Sequence, residues 1–228
     1  MSDLQKNLQE LGTEYRKIFY STVIEISDLI ESHRPAEFTG DISAHYENGS
    51  VGYNWQKEVK KLLEEKLQKE TSETTAKLQK IRANYQCSGC GVCCKFAVSE
   101  FSPEELKLKS ENGDKLAIEF INTFVPYQSA ETARRIYPEY VELLEKNTDG
   151  KYYIYHCPKV MADNKCPDYE NRPQICRDFP DNPIGFLPKT CGYTGWKSKA
   201  VHLQLKLTVL SEVVKFYLKY IPPLGFLD

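Results

Sequence analysis

Apolar side chains recur every three or four positions over three long stretches of this chain, which predicts three amphipathic helices. The first stretch covers residues 4–30 and ends before Pro35, because proline disfavours helical backbone in the residue that precedes it. The second begins near Trp55, and a polar interruption at residues 71–75 leaves open whether it is one helix or two. We expect both to form an antiparallel helical hairpin over residues 1–86 that serves as a packing scaffold.

The third stretch runs from Trp196 to Ile221 in alternating steps of four and three residues, and Pro222 ends it. We expect residues 196–228 to pack this stripe against the N-terminal hairpin, because most amphipathic helices bury their apolar face within their own domain. A protein partner is the alternative occupant of the same stripe.

Shorter elements are predicted between these helices. Residues 102–105, Ser-Pro-Glu-Glu, predict a helix start in which the serine caps, the proline takes the first helical position and the second glutamate completes a capping box. Another helix is expected over residues 138–146, followed by a turn at residues 147–150. Residues 151–156 are the best strand candidate, and a short hairpin tip is expected within residues 157–166.

These elements predict a fold that is mainly α with a small β-hairpin. The helical hairpin and the C-terminal helix would pack around a cysteine-rich metal-binding module at residues 87–195. A chain of 228 residues, 41% of them hydrophobic, can bury a core without covalent cross-links.

The charge and the N-terminus exclude several function classes. A formal net charge of −2 gives no reason to expect nucleic acid, since its binders usually carry a basic surplus. The first residues lack the apolar core of a secretory signal. The chain also has no run of about eighteen apolar residues, so no membrane association is expected. We therefore expect a cytoplasmic protein.

The chemistry of this sequence is concentrated in its eight cysteines. Disulfide frameworks belong to small secreted chains without a core, so thiolate ligands are the expected role here. Residues 87–94 carry two successive C-x2-C steps and an adjacent cysteine, and Gly89 and Gly91 permit the left-handed backbone of metal-binding knuckles. We predict that every cysteine of the chain is a metal ligand: Cys87, Cys90, Cys93, Cys94, Cys157, Cys166, Cys176 and Cys191.

The number of metal centres stays open at this point. Cys93 and Cys94 are consecutive and their side chains tend to diverge, so they serve two separate centres, or one of them is a buried thiol. Eight thiols would satisfy two four-thiolate centres, or a polynuclear cluster drawing on both halves. Cys191 stands alone in the sequence and is also compatible with a buried free thiol. His156 is more typical of a strand residue than of a ligand.

Two arginines flank Cys176 and are candidate cofactor-binding residues. Arg172 and Arg177 would offset the negative charge that unprotonated sulfurs accumulate around a metal. Surface ion pairs with the nearby acidic side chains are the alternative role.

The cysteine pattern resembles a known family. Residues 87–94, together with the pattern Cys-x2-Tyr-x2-Arg-Pro-x2-Cys-Arg-x-Phe-Pro at residues 166–180, resemble the YkgJ-like cysteine-cluster family, whose signature is CxxCxxCC. The resemblance covers roughly residues 87–192. It implies a zinc- or iron-chelating domain and leaves the metal unassigned. Some relatives are linked by name to lysine methylation of flagellin, but the resemblance itself implies no reaction, and no glycine-rich methyl-donor motif is present here.

Three functions follow from these observations. The C-x2-C-x2-C spacing favours an iron–sulfur cluster used for redox or metal handling. A zinc-stabilised structural module that docks a protein partner is the first alternative. A modifying enzyme whose metal centre borders a substrate cavity is the second. The sequence leaves open whether the protein is an enzyme.

Overall fold

The computed structural model describes residues 3–147, 151–184 and 187–223 of the chain. The helices are α1 (Asp3–Ser32), α2 (Val51–Arg82), α3 (Val92–Lys95), α4 (Pro103–Glu111), α5 (Lys115–Thr123), α6 (Ala130–Arg134), α7 (Pro138–Asn147), α8 (Gln174–Asp178) and α9 (Thr194–Tyr220). The strands are β1 (Ala97–Ser99), β2 (Val125–Pro126) and β3 (Tyr153–His156). A fold that is mainly α with a small antiparallel β element is thereby confirmed.

The chain divides into two compact units. The helical unit contains the residues up to Asn84 and those from Trp196 onward, and the cysteine unit is Tyr85–Gly195. In the described parts of both units, no helix has the length and apolar character that a membrane span requires.

The helical unit is built from the three long helices that the apolar stripes predict. Helix α2 is continuous, because its polar interruption remains helical and buries Thr74 on the inner face. Lys66 of α2 forms an ion pair with Glu25 of α1 at 2.7 Å, and Leu29 and Val59 share one small apolar recess. These pairs run in opposite directions along the two helices, which makes α1 and α2 an antiparallel hairpin.

Helix α9 contacts both members of this hairpin. The indole nitrogen of Trp196 donates to the carbonyl oxygen of Leu78 in α2 at 3.3 Å, and the hydroxyl of Tyr217 lies 2.7 Å from the hydroxyl of Ser27 in α1. Trp55 and Trp196 are both 1% exposed. Burying a large apolar side chain of this kind stabilises a fold by roughly 1.5–3 kcal/mol, so the two tryptophans are principal core residues of the unit.

The cysteine unit is organised around a three-stranded antiparallel sheet of order β1-β3-β2. The strand predicted within residues 151–156 is confirmed as β3. It pairs with both other strands, with Ala97 of β1 opposite Tyr155 and Val125 of β2 opposite His156. Phe96, Val141 and Ile154 belong to one small hydrophobic core. Tyr155 packs with residues of α4 and α5 in another. The sheet thus separates two aromatic layers, and α3 leads directly into its first strand.

The β element differs in form from the predicted hairpin. The partners of β3 precede it in the chain, whereas the expected hairpin tip is a tight turn in which the Met161 amide donates to the carbonyl oxygen of Lys165 at 3.0 Å. The capping box at residues 102–105 is confirmed, with both reciprocal hydrogen bonds present at the start of α4. Helix α7 occupies the predicted position, and residues 148–150 of the turn expected after it lie outside the described residues.

Candidate metal centre

The first cysteine stretch forms a knuckle that leads into one helical turn. Gly89 and Gly91 adopt φ values of +69° and +70°, the left-handed conformations that the sequence predicts and that glycine adopts without a steric penalty. The amide of Gly89 donates to the sulfur of Cys87 at 3.3 Å. Gly91 caps α3, so Cys93 and Cys94 stand on the same short helix.

The end of the sheet brings a later cysteine to this helix. The Cys157 amide donates to the carbonyl oxygen of Cys94 at 2.6 Å, directly after β3 ends. The ammonium group of Lys95 donates to the side-chain oxygen of Asn164, in the turn between Cys157 and Cys166. Main-chain and side-chain bonds thus fix the 157–166 segment against α3.

Cys191 approaches the start of the knuckle through Ser88. The Ser88 hydroxyl donates to the carbonyl oxygen of Thr190 at 2.8 Å and accepts from the Gly192 amide at 3.1 Å. A β-carbon on residue 192 would collide with the carbonyl oxygen of Gln86, so glycine is needed there for the close approach of the two loops. Sequence reasoning missed this clamp, because a serine within a C-x2-C step carries no distance information.

The remaining cysteines lie on the turn and short helix that follow. The amide of Ile175, at the start of α8, donates to the carboxylate of Glu119 in α5 at 2.9 Å. Arg177 donates to the carbonyl oxygens of Arg172 at 2.8 Å and Glu170 at 3.0 Å, which closes the loop that precedes Cys176.

All eight cysteines border one cavity of about 440 Å³ within the cysteine unit. Each is a free thiol and each is half-buried. The two stretches, which are separated by more than sixty positions in the printed sequence, therefore meet around a common space. The cavity also has an aromatic part, to which Phe96, Phe120 and Tyr140 contribute.

The thiols influence one another electrostatically in two groups. Burial raises the pKa of the Cys191 thiol, and Cys90 and Cys87 add to that effect. Burial also raises the pKa of the Cys176 thiol to about 11, with contributions from Cys94, Cys157 and Cys166. No cysteine is shared between these two sets of neighbours.

The adjacent pair Cys93 and Cys94 joins the two groups. A hydrogen bond between their side chains raises the pKa of Cys93 and lowers that of Cys94 to about 7. Cys93 also lies within electrostatic range of Cys87 and Cys90. Arg172 and Lys95 contribute to the lowered pKa of Cys94, since positive charges favour the thiolate form.

The two candidate arginines occupy different positions. The guanidinium of Arg172 lies 3.7 Å above the ring of Tyr169 and borders the cavity. Its positive charge contributes to the lowered pKa of Cys94 and opposes part of the rise in the pKa of Cys176. Arg177 donates to the carbonyl oxygens of Arg172 and Glu170 and is not among the residues that line the cavity. The cofactor-binding role of each remains a prediction.

Tyr169, which the sequence analysis names only within the family pattern and without a role, is a further residue of the site. Burial raises the pKa of its hydroxyl, and the nearby Cys87 adds to that effect. Its ring stacks against the guanidinium of Arg172, which lies within electrostatic range of Cys94 and Cys176. The available signal was the three-residue spacing between the tyrosine and the arginine, which allows side chains to stack across one turn. His156 stacks on Tyr127 with ring centroids 4.5 Å apart, in keeping with a strand residue.

The sulfurs line the cavity wall without converging on one point. Within residues 3–147, 151–184 and 187–223, no three Cys, His, Asp or Glu side chains stand close enough to coordinate one ion as they are placed. The donor set itself fits zinc or an iron–sulfur cluster, because both are held by cysteine thiolates in proteins. A bound group would therefore have to draw the thiols inward from the wall.

The comparison with known proteins agrees with this donor set. Residues 86–192 match the family model CxxCxxCC, described as a putative zinc- or iron-chelating domain. The match starts one residue before Cys87 and ends one residue after Cys191, so it contains all eight cysteines. No curated protein and no solved structure gives a significant match. Residues 86–192, a little under half of the chain, are thus similar to the CxxCxxCC family, and this segment carries a metal-binding cysteine cluster.

Proposed function

We propose that this chain is an iron–sulfur protein of redox or metal handling, in which the thiolates around the cavity hold the cluster. The observation that carries the proposal is that all eight cysteines, free and half-buried, border a single cavity. When bound, an iron–sulfur cluster supplies electron transfer or substrate polarisation. The protein contributes the thiolates, the positive charge beside them and the surrounding apolar wall.

Two features support iron–sulfur over zinc. Consecutive C-x2-C steps at residues 87–94 are typical of cluster-binding runs, whereas zinc fingers usually keep two well-separated pairs. A structural zinc site is also closed around its ion, while these cysteines face a space of about 440 Å³. Zinc that holds the loops of the cysteine unit together is the alternative.

The arginines take separate parts in the proposal. Arg172 stands next to Cys94 and Cys176 and would offset the charge of the thiolates that hold the cluster. Arg177 would act on the second stretch from outside the cavity, by ordering the loop between Glu170 and Arg172.

The size of the cavity favours a second candidate function, a metal centre that accepts an organic substrate. Small-molecule sites commonly occupy about 300–1,000 Å³ and are lined by apolar and aromatic side chains, and this cavity matches that description with Phe96, Phe120 and Tyr140 in its wall. A protein-modifying enzyme would need such a space beside its metal.

The deciding experiment is purification without air, followed by iron, zinc and acid-labile sulfide analysis and a visible spectrum. We expect a brown protein with iron and sulfide in equal amounts. A colourless protein with stoichiometric zinc would contradict the iron–sulfur proposal, and one devoid of transition metal would contradict metal binding altogether. A reducing compartment, the cytoplasm, is part of the proposal, because free thiols persist there.

A variant pair shows whether the cysteines bind the metal. Cys90→Ser combined with Cys166→Ser removes one sulfur from each stretch, and we expect the protein to lose its metal. His156→Gln is the matched control, because this side chain is next to Cys157 in sequence but stacks on Tyr127. The control should retain the full metal content.

A further inference from the structure

We infer that the eight cysteines form two separate four-thiolate centres whose membership crosses the two sequence stretches. The first centre takes its ligands from Cys87, Cys90, Cys93 and Cys191, and the second from Cys94, Cys157, Cys166 and Cys176. The inference rests on the proposed function, since it assigns the ligands of the metal that the cavity is proposed to hold.

The first centre is fixed by the bonds between its two loops. Ser88 contacts the backbone on both sides of Cys191, at Thr190 and at Gly192, so Cys191 is held against the first C-x2-C step. The thiol of Cys191 lies within electrostatic range of Cys87 and Cys90, and so does that of Cys93. Cys191 therefore has a place among the ligands although it stands alone in the sequence.

The second centre is fixed where the sheet meets α3. The bond of 2.6 Å from the Cys157 amide to the Cys94 carbonyl brings these two residues together. The Cys176 thiol is within electrostatic range of Cys94, Cys157 and Cys166. Cys94 thus joins the three cysteines of the later stretch and not its neighbours in the knuckle.

The division between the centres falls inside α3. Consecutive residues of a helix point about 100° apart around its axis, so Cys93 and Cys94 can face different ligand sets. Because both residues stand on the same short helix, the two sets meet at α3. The sets differ in charge, because Arg172 acts on Cys94 and Cys176 of the second.

Stepwise metal removal from the native protein tests this assignment without any substitution. Protein purified without air is treated with a limiting amount of chelator, alkylated with iodoacetamide, and analysed by intact mass and peptide mapping. We expect chains with four labels as the main intermediate, all four on one of the two sets. Four labels confined to residues 87–94, or labels spread over both sets, would overturn the assignment.

Serine variants give a second, independent measurement. Cys191→Ser should lose half of the bound metal, and adding Cys90→Ser should remove no more, because both residues belong to the first centre. Adding Cys166→Ser instead should remove the remainder. Loss of all metal by Cys191→Ser alone, with the fold retained by circular dichroism, would indicate one shared cluster and overturn the inference. Wild-type protein free of metal would instead overturn the proposed function, which is a different outcome.

Discussion

Gly91 lies so close to Asn164 that a β-carbon on residue 91 would stand 2.5 Å from that of the asparagine and 2.8 Å from its carbonyl oxygen. This contact joins the start of α3 to the turn between Cys157 and Cys166. The glycine is therefore required twice, once by its φ of +70° and once by the lack of space. The two cysteine stretches can therefore lie close together in the fold only because residue 91 is a glycine.

Substituting this glycine should separate the two cysteine stretches. Gly91→Ala adds a left-handed strain of roughly 1–2 kcal/mol and an overpacking cost of roughly 1–3 kcal/mol. We expect a loss of about 2–5 kcal/mol in the free energy of unfolding of the cysteine unit, together with reduced metal retention. Urea unfolding followed by near-ultraviolet circular dichroism measures the first quantity, and metal analysis the second.

Gly89→Ala is the matched control for this prediction. Gly89 has nearly the same φ, +69°, but nothing lies within 4 Å of a β-carbon there. Its alanine variant should show only the backbone strain and retain the metal. Equal effects at both positions would show that the Asn164 contact contributes nothing.

The carboxylate of Glu119 anchors the helix that carries Cys176. Glu119→Ala removes the acceptor of the Ile175 amide, and a lost hydrogen bond to a charged group costs roughly 1.5–3 kcal/mol. We expect a less stable cysteine unit in which Cys176 of the metal-free protein is alkylated faster. Glu119→Gln keeps a side-chain oxygen as acceptor and should restore most of both properties. Mass-resolved alkylation at Cys176 measures the effect, and identical rates in all three proteins would refute it.

The long helices and the presence of a cysteine cluster could be predicted from the sequence, because both depend on local patterns. The stripes on α1, α2 and α9 repeat over many turns, and the knuckle at residues 87–94 is contiguous. The pairing of β3 with earlier strands could not be predicted, because β1 and β2 have only three and two residues. Such short strands cannot show the alternation of apolar and polar residues by which a strand is recognised in a sequence. The clamp of Ser88 on the Cys191 loop was equally hidden, because it spans more than a hundred positions.

The start of α5 predicts a pH dependence of stability. Asp114 accepts hydrogen bonds from the amides of Leu116 and Ala117, and the Ala117 bond is the largest cause of its lowered pKa. A carboxyl with a lowered folded-state pKa stabilises the protein above its unfolded value near 3.8, and the contribution is lost as the pH falls through the folded pKa. Asp114→Ala should therefore be less stable than wild type at pH 7, and the difference should shrink below pH 3.8. Asp114→Asn retains a capping oxygen and should therefore be closer in stability to wild type at pH 7 than Asp114→Ala is. Thermal unfolding of the three proteins across this pH range measures these differences. A difference between Asp114→Ala and wild type that does not change with pH would contradict the prediction.

Arg172 offers the most direct test of how charge acts on the proposed second centre. Its guanidinium stacks on Tyr169 at 3.7 Å and lies within electrostatic range of Cys94 and Cys176. A positive charge favours the more negative, reduced form of a cluster, so Arg172→Gln should shift the reduction potential of that centre downward, on the order of tens of millivolts. Arg172→Lys keeps the charge but not the planar stack, and should recover most of the potential. Spectroelectrochemical titration of the air-free protein measures both values. Arg177→Gln is the charge-matched control, because Arg177 donates to the carbonyl oxygens of Arg172 and Glu170 and does not itself line the cavity. This variant should leave the potential nearer to that of wild type. Equal shifts at both positions would mean that net charge alone, and not the place of Arg172 beside the thiols, sets the potential.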